Sequence, residues 1–147
     1  MRARNLMVEY PACDVSDPAE QAARLIADNL RPAIVVVDQG KPVAVLPASQ
    51  VVNFVVPRYL QEDPTLVRAY DEAAGDAAAA LLVGRRVGDL LPQKSRTPMP
   101  VVRPEATLME CAAEMAKAHS PLLIVVGEDG TIQGAITAAA LLAALLP

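Results

Sequence analysis

The sequence predicts a mixed α/β (α+β) fold written twice: a β-α-β-β-α unit, an Ala- and Leu-rich helical stretch, and the unit again. Three observations predict it. Helix-opening patterns recur far apart, at Asp17-Pro18-Ala19-Glu20 and at Thr107-Leu108-Met109-Glu110. Each is followed by a proline and a run of aliphatic residues, Pro32-Ala33-Ile34-Val35-Val36-Val37 and Pro121-Leu122-Leu123-Ile124-Val125-Val126. Each run then meets a polar, Gly-containing turn and a second apolar segment. Self-similarity at a long period is the sequence mark of a repeat architecture.

Each unit is preceded by a short extended stretch, residues 12–15 and 100–102. The opening patterns match a capping box, in which an N-cap oxygen and a Glu three residues later satisfy exposed backbone donors. In the first helix Ala19, Ala22, Ala23, Ile26 and Leu30 form an apolar stripe, with Glu20, Arg24 and Asp28 on the other side. In the second, Leu108, Cys111, Ala112 and Met115 form the stripe, and Glu110, Glu114 and Lys117 face water. The continuous apolar runs after Pro32 and Pro121 read as strands buried on both faces.

The turns Asp38-Gln39-Gly40-Lys41 and Gly127-Glu128-Asp129-Gly130 join these runs to second strands over residues 42–46 and 131–136, making hairpins. Closing helices follow over residues 49–56 and 138–146. The last of these is apolar all round, which requires burial on both sides, its own sheet on one and the connector or another subunit on the other. Residues 58–83 read as a connector of one or two helices. The chain thus divides into repeat 1 (1–57), a helical connector (58–83) and repeat 2 (84–147) within one compact module.

At 147 residues the chain can bury one core, or two half-domains sharing one. With one Phe, three Tyr and no Trp, that core is built from small aliphatics. A net charge of −4 without any basic run excludes nucleic acid as the expected partner. The longest apolar stretch, residues 135–147, is shorter than the roughly 20 residues that span a bilayer, so no membrane insertion is expected. The N-terminal residues lack a signal-peptide pattern, and a cytoplasmic location is expected. Cys13 and Cys111 are too few and too distant for a disulfide framework and read as reduced, buried thiols.

Catalysis is not expected. The single histidine, His119, has no nucleophile motif beside it and no ligand at metal spacing, and the glycines include no phosphate-cradling loop. No catalytic and no metal-ligating residue is assigned.

The residues Asn5-Leu6-Met7, 32–38, Gly40 and 43–50 in the first copy, and Gly88-Asp89-Leu90-Leu91, 121–126, Gly130 and Gly134-Ala135-Ile136-Thr137 in the second, resemble the cystathionine-β-synthase-type (CBS) domain. The doubled unit is similar to a tandem CBS pair, or Bateman module. That resemblance implies a pseudo-twofold module whose two sheets pack together. It leaves two inter-repeat clefts, where family members often bind AMP, ADP, ATP or S-adenosylmethionine, and implies a homodimer through the terminal helices.

Nucleotide-binding members carry a Gly-hydrophobic-hydrophobic-Thr/Ser-x-x-Asp pattern whose Asp meets the ribose. Here the copies read Ala44-Val45-Leu46-Pro47-Ala48-Ser49-Gln50 and Gly134-Ala135-Ile136-Thr137-Ala138-Ala139-Ala140, both without the Asp. For the first cleft the resemblance points to Tyr10, Ala12, Cys13, Arg31, Pro32, Pro47 and Gln50. There Arg31 faces phosphate, Tyr10 stacks on a base and Gln50 offers the ribose a neutral partner. For the second it points to Met99, Pro100, Val101, His119, Ser120, Pro121, Thr137 and Ala140, with Thr137 supplying the hydroxyl and Met99 to Val101 lining an adenine pocket. The same residues also have plain structural readings: Arg31 as a helix-end cation, Tyr10 as a packing aromatic, His119 as a helix cap, Thr137 as a backbone-bonding hydroxyl.

The expected function is that of a stand-alone regulatory module sensing an adenosine derivative and signalling through its dimer to an unidentified protein. The alternative is a ligand-free scaffold for dimerisation or protein contact.

Overall fold

The computed structural model describes residues 1–56, 58–68, 79–92 and 99–147. After a one-turn helix α1 (Ala3–Leu6), the first unit runs β1 (Ala12–Asp14), α2 (Ala19–Asp28), β2 (Ala33–Asp38), β3 (Lys41–Pro47) and α3 (Ala48–Val55). Short helices α4 (Arg58–Glu62) and α5 (Pro64–Arg68) and a 3-10 turn at Ala80–Leu82 lie in the expected connector, whose residues 69–78 fall outside the described set. A second one-turn helix, α6 (Val87–Leu90), precedes the second unit: β4 (Val101–Val102), α7 (Leu108–Ala118), β5 (Leu122–Val126), β6 (Ile132–Thr137) and α8 (Ala138–Leu145).

The two three-stranded sheets have the same design. β2 pairs in parallel with β1 and antiparallel with β3, and β5 does the same with β4 and β6. Register shifts fall at matching places, Val36/Val37 and Val125/Val126. In the first hairpin Gln39 and Gly40 have φ of 52° and 78°. That pair of left-handed residues is what a two-residue turn needs to match the strand twist.

Alternation along the central strands sorts side chains into layers. Ile34 and Val36 join Cys13, Ala22, Ile26, Leu46 and Val51 under the helices of the first unit. Leu123 and Val125 join Cys111, Met115, Ile136 and Leu141 in the second. The residues between, Ala33 and Val35 on one sheet and Leu122 and Ile124 on the other, meet in a shared inter-sheet layer with Tyr10 and Ala135. Both strands are buried on both faces because one face meets helices and the other meets the partner sheet.

The one-turn helices cross over. Ala3 N–H donates to the Ala106 carbonyl at 2.8 Å and Arg4 N–H to Pro104 at 3.0 Å; their counterparts are Val87 N–H to Asp17 at 2.8 Å and Gly88 N–H to Val15 at 3.0 Å. Val87 and Leu90 are buried in the first unit's core, and Ala3 in the second's. Residues adjoining each unit in sequence thus complete the other unit in space. These matched bonds, offset by 84 residues in the leading segments (Ala3 to Val87) and 89 in the units (Asp17 to Ala106), express an approximate twofold relation.

Two local expectations are corrected. Asp17 does not cap α2: Pro18 is the N-cap, no side chain caps it, and the Asp17 carboxylate instead accepts the Asp14 N–H at 2.9 Å. The Ala19 N–H is satisfied by the Arg85 carbonyl at 2.8 Å, so the crossing segment replaces the cap. Leu30 is not part of the buried stripe; α2 ends at Asp28, and Leu30 has φ 50° and is 90% exposed. The Thr107 box does form, with Glu110 N–H donating to Thr107 Oγ1 at 3.2 Å and Thr107 N–H to Glu110 Oε2 at 2.6 Å.

On α8, Leu141 is buried in the second core, whereas Leu142, Leu145 and the C-cap Leu146 are exposed. Among the described residues no helix is long and apolar enough to cross a membrane.

Candidate ligand cleft between the repeats

Packing the sheets face to face about a twofold places the β3–α3 junction of one unit opposite the β4 and α7 ends of the other. A cleft of about 480 Å³ opens there. Pro47 and Gln50 line it from the first unit, together with Val43, Ala44 and Val45. Met99, Pro100, Ala118, His119, Ser120 and Pro121 line it from the second, and Leu91 and Pro92 from the crossing segment.

The walls are largely aliphatic, and the polar groups come from a few chain ends. Pro47 is the N-cap of α3 (φ −70°, ψ 148°) and offers no side-chain acceptor; Ala48 N–H donates to the Pro32 carbonyl at 2.9 Å. The start of α3 therefore borders the cleft without a side-chain cap, and a helix N-terminus carries partial positive charge. Gln50 is half-buried, and its Nε2 donates to the Leu90 carbonyl at 3.3 Å, which ties the first turn of α3 to the crossing segment. His119 is the C-cap of α7 in the left-handed region, at φ 49°, and is exposed. Ser120 folds back on its own strand: its Oγ donates to the Leu122 carbonyl at 2.7 Å and sits 3.2 Å from the Leu122 N–H.

Sequence reasoning grouped Pro47 and Gln50 with one cleft and Met99, Pro100, His119, Ser120 and Pro121 with the other; the structure brings all seven to the same cleft. The remaining residues lie elsewhere. Tyr10 is buried in the inter-sheet layer, its hydroxyl donating to the Ala33 carbonyl at 3.0 Å. The Arg31 guanidinium lies over the Tyr10 ring, 4.9 Å from its centroid. Burial pushes the Tyr10 hydroxyl up from its ordinary value, partly offset by the positive charge of Arg31.

Ala12 is exposed on β1, and Pro32 is exposed at the foot of β2. Cys13 faces the first core, its thiol pushed up by burial and then by the Asp17 charge, so it does not reach a cleft wall. Val101 packs against the inter-sheet layer. Thr137 caps α8, accepting the Ala140 N–H at 3.1 Å, and Ala140 packs against the second core.

The lining residues that sequence reasoning missed are Val43, Ala44, Val45, Leu91, Pro92 and Ala118. The Ala44-Val45 pair stands at the start of the family pattern and carried a usable signal. Leu91 and Pro92 carried none, since nothing local reveals that their segment crosses to the other unit.

The fold and cleft define a pseudo-twofold tandem-repeat module with a groove shared by its halves. The model of the CBS domain matches residues 87–147. The chain is 40% identical, with TM-score 0.86, to a CBS domain-containing protein of unknown function from Kribbella flavida DSM 17836, covering 100% of this chain and 99% of that one. It is 19% identical, with TM-score 0.74, to the CBS-pair protein CBSX2 from Arabidopsis thaliana, covering 98% and 93%. A structure of CBSX2 in complex with AMP is 20% identical, with TM-score 0.68 and coverage of 98% and 95%. No curated protein matches the chain. The chain belongs to the CBS domain family, and its doubled unit is a tandem CBS pair.

Proposed function

We propose that the module is regulatory and that its inter-repeat cleft binds an adenosine nucleotide or derivative, AMP, ADP, ATP or S-adenosylmethionine, with the signal carried by a homodimer. The observation that carries the reading is the cleft itself: about 480 Å³, aliphatic-walled, with the uncapped start of α3 and the Gln50 amide at its edge. That volume lies within the roughly 300–1,000 Å³ of small-molecule sites, which combine apolar walls with a few convergent polar groups.

The walls suit a flat base held between Met99, Pro100 and the β3 valines. The helix start suits an anionic or hydroxyl-rich group, since unpaired N–H donors there favour negative charge. Gln50 stands where the family pattern has Asp and offers a neutral amide to the ribose. The CBS-pair relative with bound AMP supports the choice of ligand class. The dimer is supported by α8, where Leu142, Leu145 and Leu146 are 58%, 42% and 67% exposed on a helix without a charged residue.

A thermal-shift panel with the four ligands tests the proposal. A ligand at about 100 times its dissociation constant stabilises by about 2.7 kcal/mol. A shift that Gln50→Ala reduces supports the reading, and the absence of any shift at millimolar ligand favours a ligand-free dimerisation scaffold instead.

A further inference from the structure

We infer that the chain closes one of its two symmetry-related clefts with its own N-terminal segment, so that a ligand can enter only the other. The twofold relation fixes which residues are equivalent. Val36 pairs with Ala44, and its counterpart Val125 pairs with Gly134. Ala44 therefore matches Gly134, Val45 matches Ala135 and Pro47 matches Thr137. In the leading segments, α1 matches α6, so Val8 matches Pro92.

Pro92 is among the residues that line the cleft described above. Around Val8 the counterpart is stitched shut: Val8 N–H donates to the Ala135 carbonyl at 2.9 Å, and Ala135 N–H returns a bond to Val8 at 3.0 Å. Behind this bridge Tyr10 is buried with Arg31 over its ring.

Two sequence differences account for the asymmetry. Pro92 has no N–H and cannot make the donor half of such a bridge. Gly134 has no Cβ, and one placed there would lie 2.9 Å from the Val8 carbonyl oxygen and 3.2 Å from Met7 Cβ. Only glycine admits the N-terminal segment at that distance, whereas Ala44 already carries the Cβ on the open side. On the same side the Arg31 Nε is buried without a hydrogen-bond partner.

The closure stands on geometry alone; its consequence for ligand number rests on the function proposed above. Amide hydrogen exchange on the full chain tests the closure without any ligand. Val8 and Ala135 are expected to be protected, and Gly134→Ala to lower both protections by roughly tenfold or more through local opening while leaving Leu123 unchanged. Free exchange of the Val8 amide in the native protein, or unchanged protection in the variant, overturns it. If Gly134→Ala does not fold, Val8→Pro removes the donor and must raise exchange at Ala135.

Titration with AMP then tests the consequence. Saturation at one AMP per chain, with NMR shifts at Gln50 and Ser120 but not at Tyr10 or Thr137, supports single occupancy, and two per chain refutes it. An absence of AMP binding counts against the proposed function, and the exchange data still decide the closure.

Discussion

Val87 donates its backbone N–H to the carbonyl of Asp17 at 2.8 Å, binding a residue that precedes the second unit to the helix start of the first. Its neighbour Leu90 is 1% exposed in the core that contains Cys13, Ile34 and Val51. Leu90→Ala is therefore expected to destabilise the protein by about 2–5 kcal/mol, the range for a truncated buried leucine. Methyl NMR shifts should appear at Ile34 and Val51 and not at Leu123 and Leu141. Perturbation confined to the second unit would show that the segments do not cross.

The exposed face of α8 predicts assembly. Buried Leu141 turns inward while Leu142 and Leu145 face out, so charges on the outer face test the proposed dimer without touching the core. Wild-type protein at tens of micromolar is expected to scatter light as a dimer, and Leu142→Glu with Leu145→Glu as a monomer that keeps its circular dichroism. A monomeric wild type refutes the dimer.

Much of the fold was legible because both copies of each strand carry the same physical signature. Val35 and Ile124 read as buried on both sides since no polar residue interrupts their runs. The Thr107 box was legible because its hydroxyl has no competing partner. At Asp17 the same pattern misled: a following proline took the N-cap position and the carboxylate found the Asp14 amide instead. The site was half legible. Gln50 and His119 were singled out individually, but their meeting depends on a sheet-to-sheet rotation that no local spacing encodes. The crossing helices are one turn each, too short for periodicity to register.

The Thr107 box also gives a pH dependence. Bonds from the Thr107 backbone N–H, then from its side chain, hold the Glu110 carboxyl below its ordinary value of 4.5. A carboxyl lowered in the folded state contributes stability that is complete above the unfolded value and is lost as pH falls through the folded one. The melting temperatures of wild type and Glu110→Gln are thus expected to differ near neutral pH, to begin converging below about pH 4.3 and to meet only below the lowered folded value. Thr107→Ala removes the cap itself and is expected to cost about 0.5–2 kcal/mol. A gap between wild type and Glu110→Gln that stays constant down to pH 3 would assign the box no ionic component.

Gln50 allows the ligand reading to be tested by gain instead of loss. It stands four residues after Leu46 on the first turn of α3, and its amide bonds the Leu90 carbonyl at 3.3 Å. Gln50→Asp restores the carboxylate of the family pattern at the open cleft. A hydrogen bond to a charged acceptor contributes about 1.5–3 kcal/mol against about 1 kcal/mol for a neutral one. The difference of about 0.5–2 kcal/mol corresponds to roughly 2- to 30-fold tighter AMP binding. Aspartate cannot donate to Leu90, so the unliganded variant is expected to melt slightly lower than wild type even as its ligand-induced shift grows. The gain must vanish with a 2′,3′-dideoxy nucleotide, which has no ribose hydroxyl to donate to the new carboxylate. Isothermal titration of both proteins with both nucleotides separates the cases: equal affinity of wild type and variant for AMP places the ribose away from α3.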